Sequence, residues 1–175
     1  SLWFTLFDAG TDGPLASKVT TPEVSAPPGT YIHVADSSFE DGRVVGRAKT
    51  DQLDASWELS FDSDQEPLYH LPRSWMYRAP VPKTKLLTPY PGARFDGVVR
   101  AGEREVPVEG WRGMIGHNWG TQHAERWIWL HGASFEDADE VWLDAAIGRI
   151  KLGLVTTPWI ANGTLYMDGE RHRLG

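Results

Sequence analysis

The amino-acid sequence predicts an all-β fold, a sandwich or a barrel of antiparallel strands. Apolar and polar residues alternate with a period of two at 57–61, 141–146 and 165–167, which is typical of half-buried strands. Turn-forming residues follow one another closely along most of the chain. No segment has the pattern of a long amphipathic helix, so the helical crossovers of a parallel α/β sheet are not expected.

The expected strands follow one another in the order 3–7, 31–34, 43–49, 57–61, 94–100, 104–108, 126–133, 141–146, 165–167 and 170–174. Two hairpins are expected, at Ala101-Gly102-Glu103 and at the two-residue signal Asp168-Gly169. Further turn signals are Asp12-Gly13-Pro14, Pro27-Pro28-Gly29, Asp41-Gly42, Pro91-Gly92 and Asn162-Gly163. Many short strands with regular turns are typical of sandwiches and barrels.

Residues 66–92 differ from the rest of the chain in their density of prolines and aromatic residues. The simplest interpretation is a crossing loop made rigid by proline. The alternative is a lid over one barrel mouth, in which Trp75, Tyr77 or Tyr90 packs against the contents of the pocket. Both interpretations place this segment outside the strands.

The composition excludes several classes of function. The formal net charge of the 175 residues is -7, which disfavours nucleic acid as a partner. The absence of cysteine excludes disulfides and thiolate metal sites and is consistent with a cytoplasmic location, which we predict. No signal peptide and no membrane span are evident. Because the chain opens on a strand-like segment and stops after a hairpin signal, we expect it to be part of a longer protein.

A cluster of tryptophan and histidine at 113–132 is the most informative feature of the chain. Three of the nine tryptophans and three of the six histidines fall in this segment, between glycines. In a strand at 126–133, Trp127, Trp129 and His131 share one face, while Arg126, Ile128 and Leu130 share the other. Large apolar surfaces with a few polar groups are typical of a pocket wall. The alternative is that these tryptophans belong to a packed core.

We therefore predict a ligand-binding site made of His117, Asn118, Trp119, His123, Trp127, Trp129 and His131. Three histidines could instead bind zinc, but their spacing is not that of a helical pair and no carboxylate completes the set. We predict no metal and no cofactor. The glycines at 116 and 120 predict a sharp turn that presents His117 and Asn118 together. Among the carboxylates, Asp144 is the most interesting because it shares a strand face with Trp142.

The motif Gly116-His117-Asn118-Trp119-Gly120, with Trp127-Ile128-Trp129 after it, resembles the lipocalin-like family of the AttH-type proteins and carotenoid 1,2-hydratase (hydroxyneurosporene synthase), and more distantly tocopherol cyclase. The resemblance implies an antiparallel lipocalin-like (calycin-type) barrel, with residues 1–175 forming one such domain of a two-barrel protein. It also implies chemistry on isoprenoid double bonds that begins with protonation of an alkene. Gly116 stands where the hydratase pattern has an acidic residue, so no catalytic residue is predicted.

Three functions follow as hypotheses. The first is binding of an apolar small molecule of isoprenoid, polyketide or lipid type inside the barrel. The second is an enzyme that hydrates or cyclises an isoprenoid-like substrate there, with Trp119, Trp127 and Trp129 stabilising a carbocation through their ring faces. The third is a structural half, without catalysis, for a second barrel domain or for another copy of the chain in a homo-oligomer.

Overall fold

The computed structural model describes residues 1–10, 12–152 and 154–175. The predicted all-β, antiparallel class is confirmed: every strand pair with a defined register is antiparallel, and within the described ranges the one helix is a 3-10 turn at Ser74–Tyr77. No helix in these ranges is long and apolar enough to cross a membrane. The chain divides into two compact units, Ser1–Asp62 with Phe95–Trp111, and Ser63–Arg94 with Arg112–Gly175.

Seven strands lie entirely within the first unit. They are β1 (Leu2–Leu6), β2 (Leu15–Val19), β3 (Val24–Ser25), β4 (Thr30–Val34), β5 (Ser37–Glu40), β6 (Arg43–Lys49) and β7 (Asp54–Asp62). Strands β1 and β2 pair with each other, and β3 to β7 form a meander in which each strand pairs with the next. Its core contains Phe61, which packs against Phe39 and Phe95 with ring centroids 5.9 and 5.6 Å apart.

Two long strands, β9 (Thr84–Ala101) and β10 (Arg104–Gly120), contribute residues to both units. Their connection at residues 102–103 confirms the hairpin expected there, with Gly102 at a φ of 61°. Both strands are longer than the sequence predicts. Residues 84–92 belong to β9, so the loop expected at 66–92 ends before residue 84. Turns were also expected at Pro91-Gly92 and at Gly116, but these residues lie within β9 and β10.

Physical reasons account for these differences. Pro89 and Pro91 are two residues apart, so the N–H groups that they lack lie along one edge of β9 and leave the other edge able to pair. Strand β8 (Leu68–Tyr69) pairs with β9 through Leu68 opposite Thr88 and Tyr69 opposite Leu87. Because β10 continues to residue 120, the consecutive residues His117 and Asn118 point to opposite faces and are not presented together.

The second unit contains a sheet in the order β11–β12–β15–β16. Its remaining strands are β11 (Arg126–Phe135), β12 (Ala138–Arg149), β13 (Lys151–Leu152), β14 (Val155–Thr156), β15 (Ile160–Met167) and β16 (Glu170–Leu174). The hairpin expected at Asp168-Gly169 joins β15 to β16, with Met167 opposite Glu170. The expected turn at Asn162-Gly163 is instead strand, because both residues pair with β12.

Candidate ligand-binding site

The site is built on one face of the four-stranded sheet of the second unit. A single row of directly opposed residues crosses this sheet, in the order His131, Asp144, Thr164 and Arg173. Opposed residues of antiparallel strands point to the same side, so these four side chains share a face. Period-two alternation places Trp127 and Trp129 on this face as well, as the sequence predicts. A row of mainly polar residues therefore lies beside large aromatic ones.

Asp144 is the most buried group of this face, with none of its surface exposed. The Thr88 hydroxyl donates to its Oδ2 at 2.5 Å, and the Trp129 indole Nε1 donates to its Oδ1 at 2.8 Å. His70 Nε2 lies 3.4 Å from Oδ2. A carboxylate without water is stable only when donors surround it, and three donors meet this need here.

These contacts determine the charge of Asp144. Burial alone raises the pKa of this carboxyl, but the hydrogen bonds from His70, Thr88 and Trp129 outweigh burial and lower its pKa below the ordinary value. Asp144 is therefore a carboxylate at neutral pH. It can accept hydrogen bonds or stabilise a positive charge, and it is a poor proton donor.

The same contacts also determine the tautomer of His70, of which 6% is exposed. The only proton of the Thr88 hydroxyl goes to Asp144, so the Thr88 oxygen must accept from His70 Nε2, which lies 3.0 Å away. The Nε2 atom of His70 consequently carries a proton. Its buried Nδ1 has no hydrogen-bond partner in the described part of the chain, which leaves this nitrogen for another polar group.

His131 lies beside this cluster and is also incompletely paired. Burial lowers the pKa of its imidazole, and the nearby Asp144 carboxylate offsets only part of this effect. Both ring nitrogens are buried and lack a hydrogen-bond partner among residues 1–10, 12–152 and 154–175. A neutral imidazole offers one donor and one acceptor, so His131 can bind a hydroxyl or a carbonyl group.

A cleft of about 450 Å³ opens on this face of the sheet. One wall consists of Asn162, Thr164, Arg171 and Arg173, which belong to β15 and β16. The other wall comes from the proline-rich segment and consists of Tyr69, Leu71, Pro72, Ser74 and Tyr77. The volume lies within the range of about 300–1,000 Å³ that is usual for small-molecule sites.

Tyr77 holds the proline-rich wall in place. Its hydroxyl donates to the Leu86 carbonyl at 2.8 Å and accepts from the Leu71 amide at 3.1 Å. Burial raises the pKa of this phenol, which therefore keeps its proton. Its ring also packs edge-on against Tyr69, with centroids 5.5 Å apart. All of these contacts join parts of the proline-rich segment to one another.

The predicted site residues fall into three groups. Trp129 and His131 lie next to Asp144. His117 and Trp119 stack on each other, with ring centroids 5.0 Å apart, and the ring of Tyr77 is tilted against Trp119 at 5.9 Å. The remaining three, Asn118, His123 and Trp127, are exposed, as are His117, Trp119 and Trp129. In the described part of the chain, no three His, Asp or Glu side chains are placed to hold a metal ion.

Sequence reasoning missed His70, Thr88, Arg171 and Arg173. His70 and Thr88 both lie in the segment 66–92 that was expected to be a loop, and the Thr88 hydroxyl contacts Asp144, which is 56 positions away in the sequence. A signal for the arginines was available: the hairpin at Asp168-Gly169 sets the register of β15 and β16, which predicts Thr164 opposite Arg173.

Comparison with known proteins gives relatives without an assigned function. The chain is 28% identical over 170 residues to "Uncharacterized protein Rv0493c" of Mycobacterium tuberculosis (strain ATCC 25618 / H37Rv) and to "Uncharacterized protein MT0513" of Mycobacterium tuberculosis (strain CDC 1551 / Oshkosh). The match covers 96% of this chain and 49% of each relative, so the chain spans about half the length of these relatives. No family model and no solved structure matches the chain.

Proposed function

We propose that the chain binds an apolar small molecule of isoprenoid, polyketide or lipid type. The cleft carries this proposal, because it combines a suitable volume with one wall of aromatic and apolar residues and one wall of polar groups. Aromatic and apolar surface on the Tyr69, Leu71, Pro72 and Tyr77 side would contact the apolar part of the ligand. The polar groups of Asn162 and Thr164 would orient its polar end.

We also propose that the fold is a lipocalin-like (calycin-type) barrel, as the resemblance to the AttH-type and carotenoid 1,2-hydratase proteins implies. The strand order supports this proposal, since β3 to β7 and then β9 and β10 follow one another as neighbours in a meander. An up-and-down order of this kind is the connectivity of lipocalin barrels.

The predicted aromatic cluster has a role in this proposal. Trp127 and Trp129 are 64% and 49% exposed, which is unusual for adjacent tryptophans on one strand face. Contiguous exposed apolar surface marks a place where another molecule binds. None of these seven predicted residues is among the described residues that line the cleft, so we propose them as further ligand contacts outside it. Trp119, Trp127 and Trp129 would provide apolar surface there, and His117, Asn118, His123 and His131 would offer donors and acceptors.

A second candidate function is an enzyme that hydrates or cyclises an isoprenoid-like substrate, and the cluster around Asp144 favours it. Alkene protonation creates a carbocation, which a buried carboxylate and tryptophan ring faces can stabilise. The ionised Asp144 would take this role, and the proton would come from another acid. Hydration would then transfer a proton from that acid to one alkene carbon and a hydroxyl group from water to the other, and the proton that water loses would return to the acid.

Native mass spectrometry tests the binding proposal. We expect the chain to retain one equivalent of a neutral apolar probe, dodecanol or geranylgeraniol. Ser74 is exposed and lines the cleft, so Ser74→Trp should block the cleft and abolish retention, while Ser74→Ala should retain the probe. Absence of retention by the unaltered chain would contradict the proposal and favour the structural-half hypothesis. Equal retention by Ser74→Trp would show that the cleft is not the site.

Incubation with an isoprenoid polyene tests the second candidate. A product that is heavier by one water, or a cyclised isomer, is expected from the unaltered chain but not from Asp144→Asn. An unchanged polyene in both incubations would contradict the enzymatic candidate and leave the binding proposal intact.

A further inference from the structure

We propose that the cleft binds the oxyanion head group, carboxylate or phosphate, of an amphipathic ligand, with Arg173 as its charged partner. This inference rests on the proposed binding function and names the ligand class. It starts from the two arginines in the wall of the cleft, Arg171 and Arg173, which occupy the same face of β16 two residues apart.

The guanidinium groups of the two arginines differ in their contacts. The guanidinium of Arg171 donates to the main-chain carbonyls of Glu66 and Pro67, the latter at 3.4 Å, and lies over the ring of Trp142 with its carbon 5.5 Å from the centroid. Arg171 is thereby fixed in place. In contrast, no hydrogen bond or ion pair joins the guanidinium of Arg173 to any residue that the structure describes.

In the described part of the chain, neither Arg171 nor Arg173 has a carboxylate within ion-pair distance, although both line the cleft. Acidic residues outnumber Lys and Arg by 24 to 17, so carboxylates are abundant. Some arginines outside the cleft pair with them, as Arg43 does with Glu58 at 2.7 Å and Arg100 with Glu105 at 2.7 Å. The positive charge at Arg171 and Arg173 is therefore available to an external anion. A guanidinium offers five donors in a planar fork that matches carboxylate and phosphate oxygens.

The surroundings of Arg173 suit a head group with a tail. Thr164 stands directly opposite Arg173 on β15, and Asn162 is the next residue along the same face, so a hydroxyl and an amide can add hydrogen bonds to an oxyanion. The opposite wall presents Tyr69, Leu71 and Pro72, which offer apolar surface to a tail. The charged and apolar parts of an amphipathic molecule thus find separate partners.

Calorimetric titration of the chain at low ionic strength tests this inference. The probes are dodecanoate, dodecyl phosphate and dodecanol, each below its micelle concentration, because they share a tail and differ in the head group. A charge-assisted hydrogen bond predicts that at least one anion binds about tenfold more tightly than dodecanol. The anion that binds more tightly identifies the head group as carboxylate or phosphate.

Arg173→Gln should remove this preference, and Arg173→Lys should keep part of it. Arg126→Gln is the matched control, because Arg126 is an exposed arginine of the same sheet outside the cleft, and it should keep the full preference. The inference would be overturned if dodecanol and both anions bound equally well, or if Arg173→Gln kept the full preference for the anion. Either outcome would leave the proposed function standing. Failure of all three probes to bind would overturn both.

Discussion

The indole nitrogen of Trp129 donates a hydrogen bond to Asp144 Oδ1 across the β11–β12 pair, at 2.8 Å. Trp129 is directly opposite Ala146 rather than Asp144, and the small alanine side chain leaves room for the indole to reach the diagonal neighbour. This contact joins a tryptophan that the sequence analysis singled out to a carboxylate at the centre of the site. It also explains how a half-exposed tryptophan keeps a fixed orientation.

Replacing Trp129 by phenylalanine should destabilise the fold. The change removes a donor to a buried charged acceptor, and such hydrogen bonds contribute about 1.5–3 kcal/mol. Trp127→Phe is the control, because Trp127 is on the same strand face, is more exposed and makes no hydrogen bond with the described residues. Urea unfolding should give a clearly larger loss for Trp129→Phe, and equal losses would refute the role assigned to this contact.

Asp144→Asn should lower the free energy of unfolding by about 1–3 kcal/mol, because an amide NH₂ group would face donors that need an acceptor. Asp62→Asn is the matched substitution at an exposed carboxylate on β7, where a change within about 0.5 kcal/mol is expected. Thermal unfolding of both variants measures the difference. An unchanged free energy of unfolding in Asp144→Asn would mean that the negative charge of Asp144 does not stabilise the cluster around it.

Acid should weaken the fold in two separate steps. The pKa of His131 is lowered in the folded chain, so the unfolded chain takes up a proton below about pH 6.5 that the folded chain does not, and stability falls there as pH decreases. The pKa of Asp144 is also lowered in the folded chain. The stability that the ionised Asp144 contributes is therefore lost below about pH 3.8, as the pH falls through the pKa of the folded state.

His131→Phe isolates the first of these steps. The variant should lose part of the decline in unfolding free energy just below pH 6.5 and keep the decline at lower pH. Denaturant midpoints measured at intervals between pH 7.5 and 3 give the comparison. A variant with the same pH profile as the unaltered chain would show that His131 titrates normally in the folded state.

The two glycines of the Gly116-His117-Asn118-Trp119-Gly120 motif should respond differently to alanine. Gly120 has a φ of 146°, and a Cβ there would lie 1.8 Å from the Lys83 carbonyl oxygen. At Gly116 the nearest atom is the flexible end of the Met114 side chain. Gly120→Ala should therefore cost at least about 1–3 kcal/mol, and Gly116→Ala much less. Thermal unfolding of the pair checks this, and equal costs would contradict the close approach.

The sequence predicted the elements that depend on local patterns. The alternation at 57–61 and 141–146 falls within β7 and β12, and Asp168-Gly169 makes the β15–β16 hairpin as expected. The shared face of Trp127, Trp129 and His131 follows from the same period of two. These features need only neighbouring residues, which is why the sequence alone could predict them.

The centre of the site could not be predicted in this way. Thr88 and His70 contact Asp144, although they are 56 and 74 positions away from it in the sequence. No local sequence pattern predicts a contact between residues so far apart. The prolines of 66–92 also indicated a loop, whereas Pro89 and Pro91 lie within a strand because both remove donors from one edge. Long-range pairing overrode the local signal at that point.

Amide chemical shifts of the ¹⁵N-labelled chain during a titration with dodecanol test the central claim, that the cleft binds an apolar small molecule, most directly. We predict saturable shifts concentrated at 69–77 and 162–173, the two walls of the cleft, with smaller changes in residues 30–62 of the other unit. Shifts confined to residues 30–62, or shifts that do not saturate, would contradict the account.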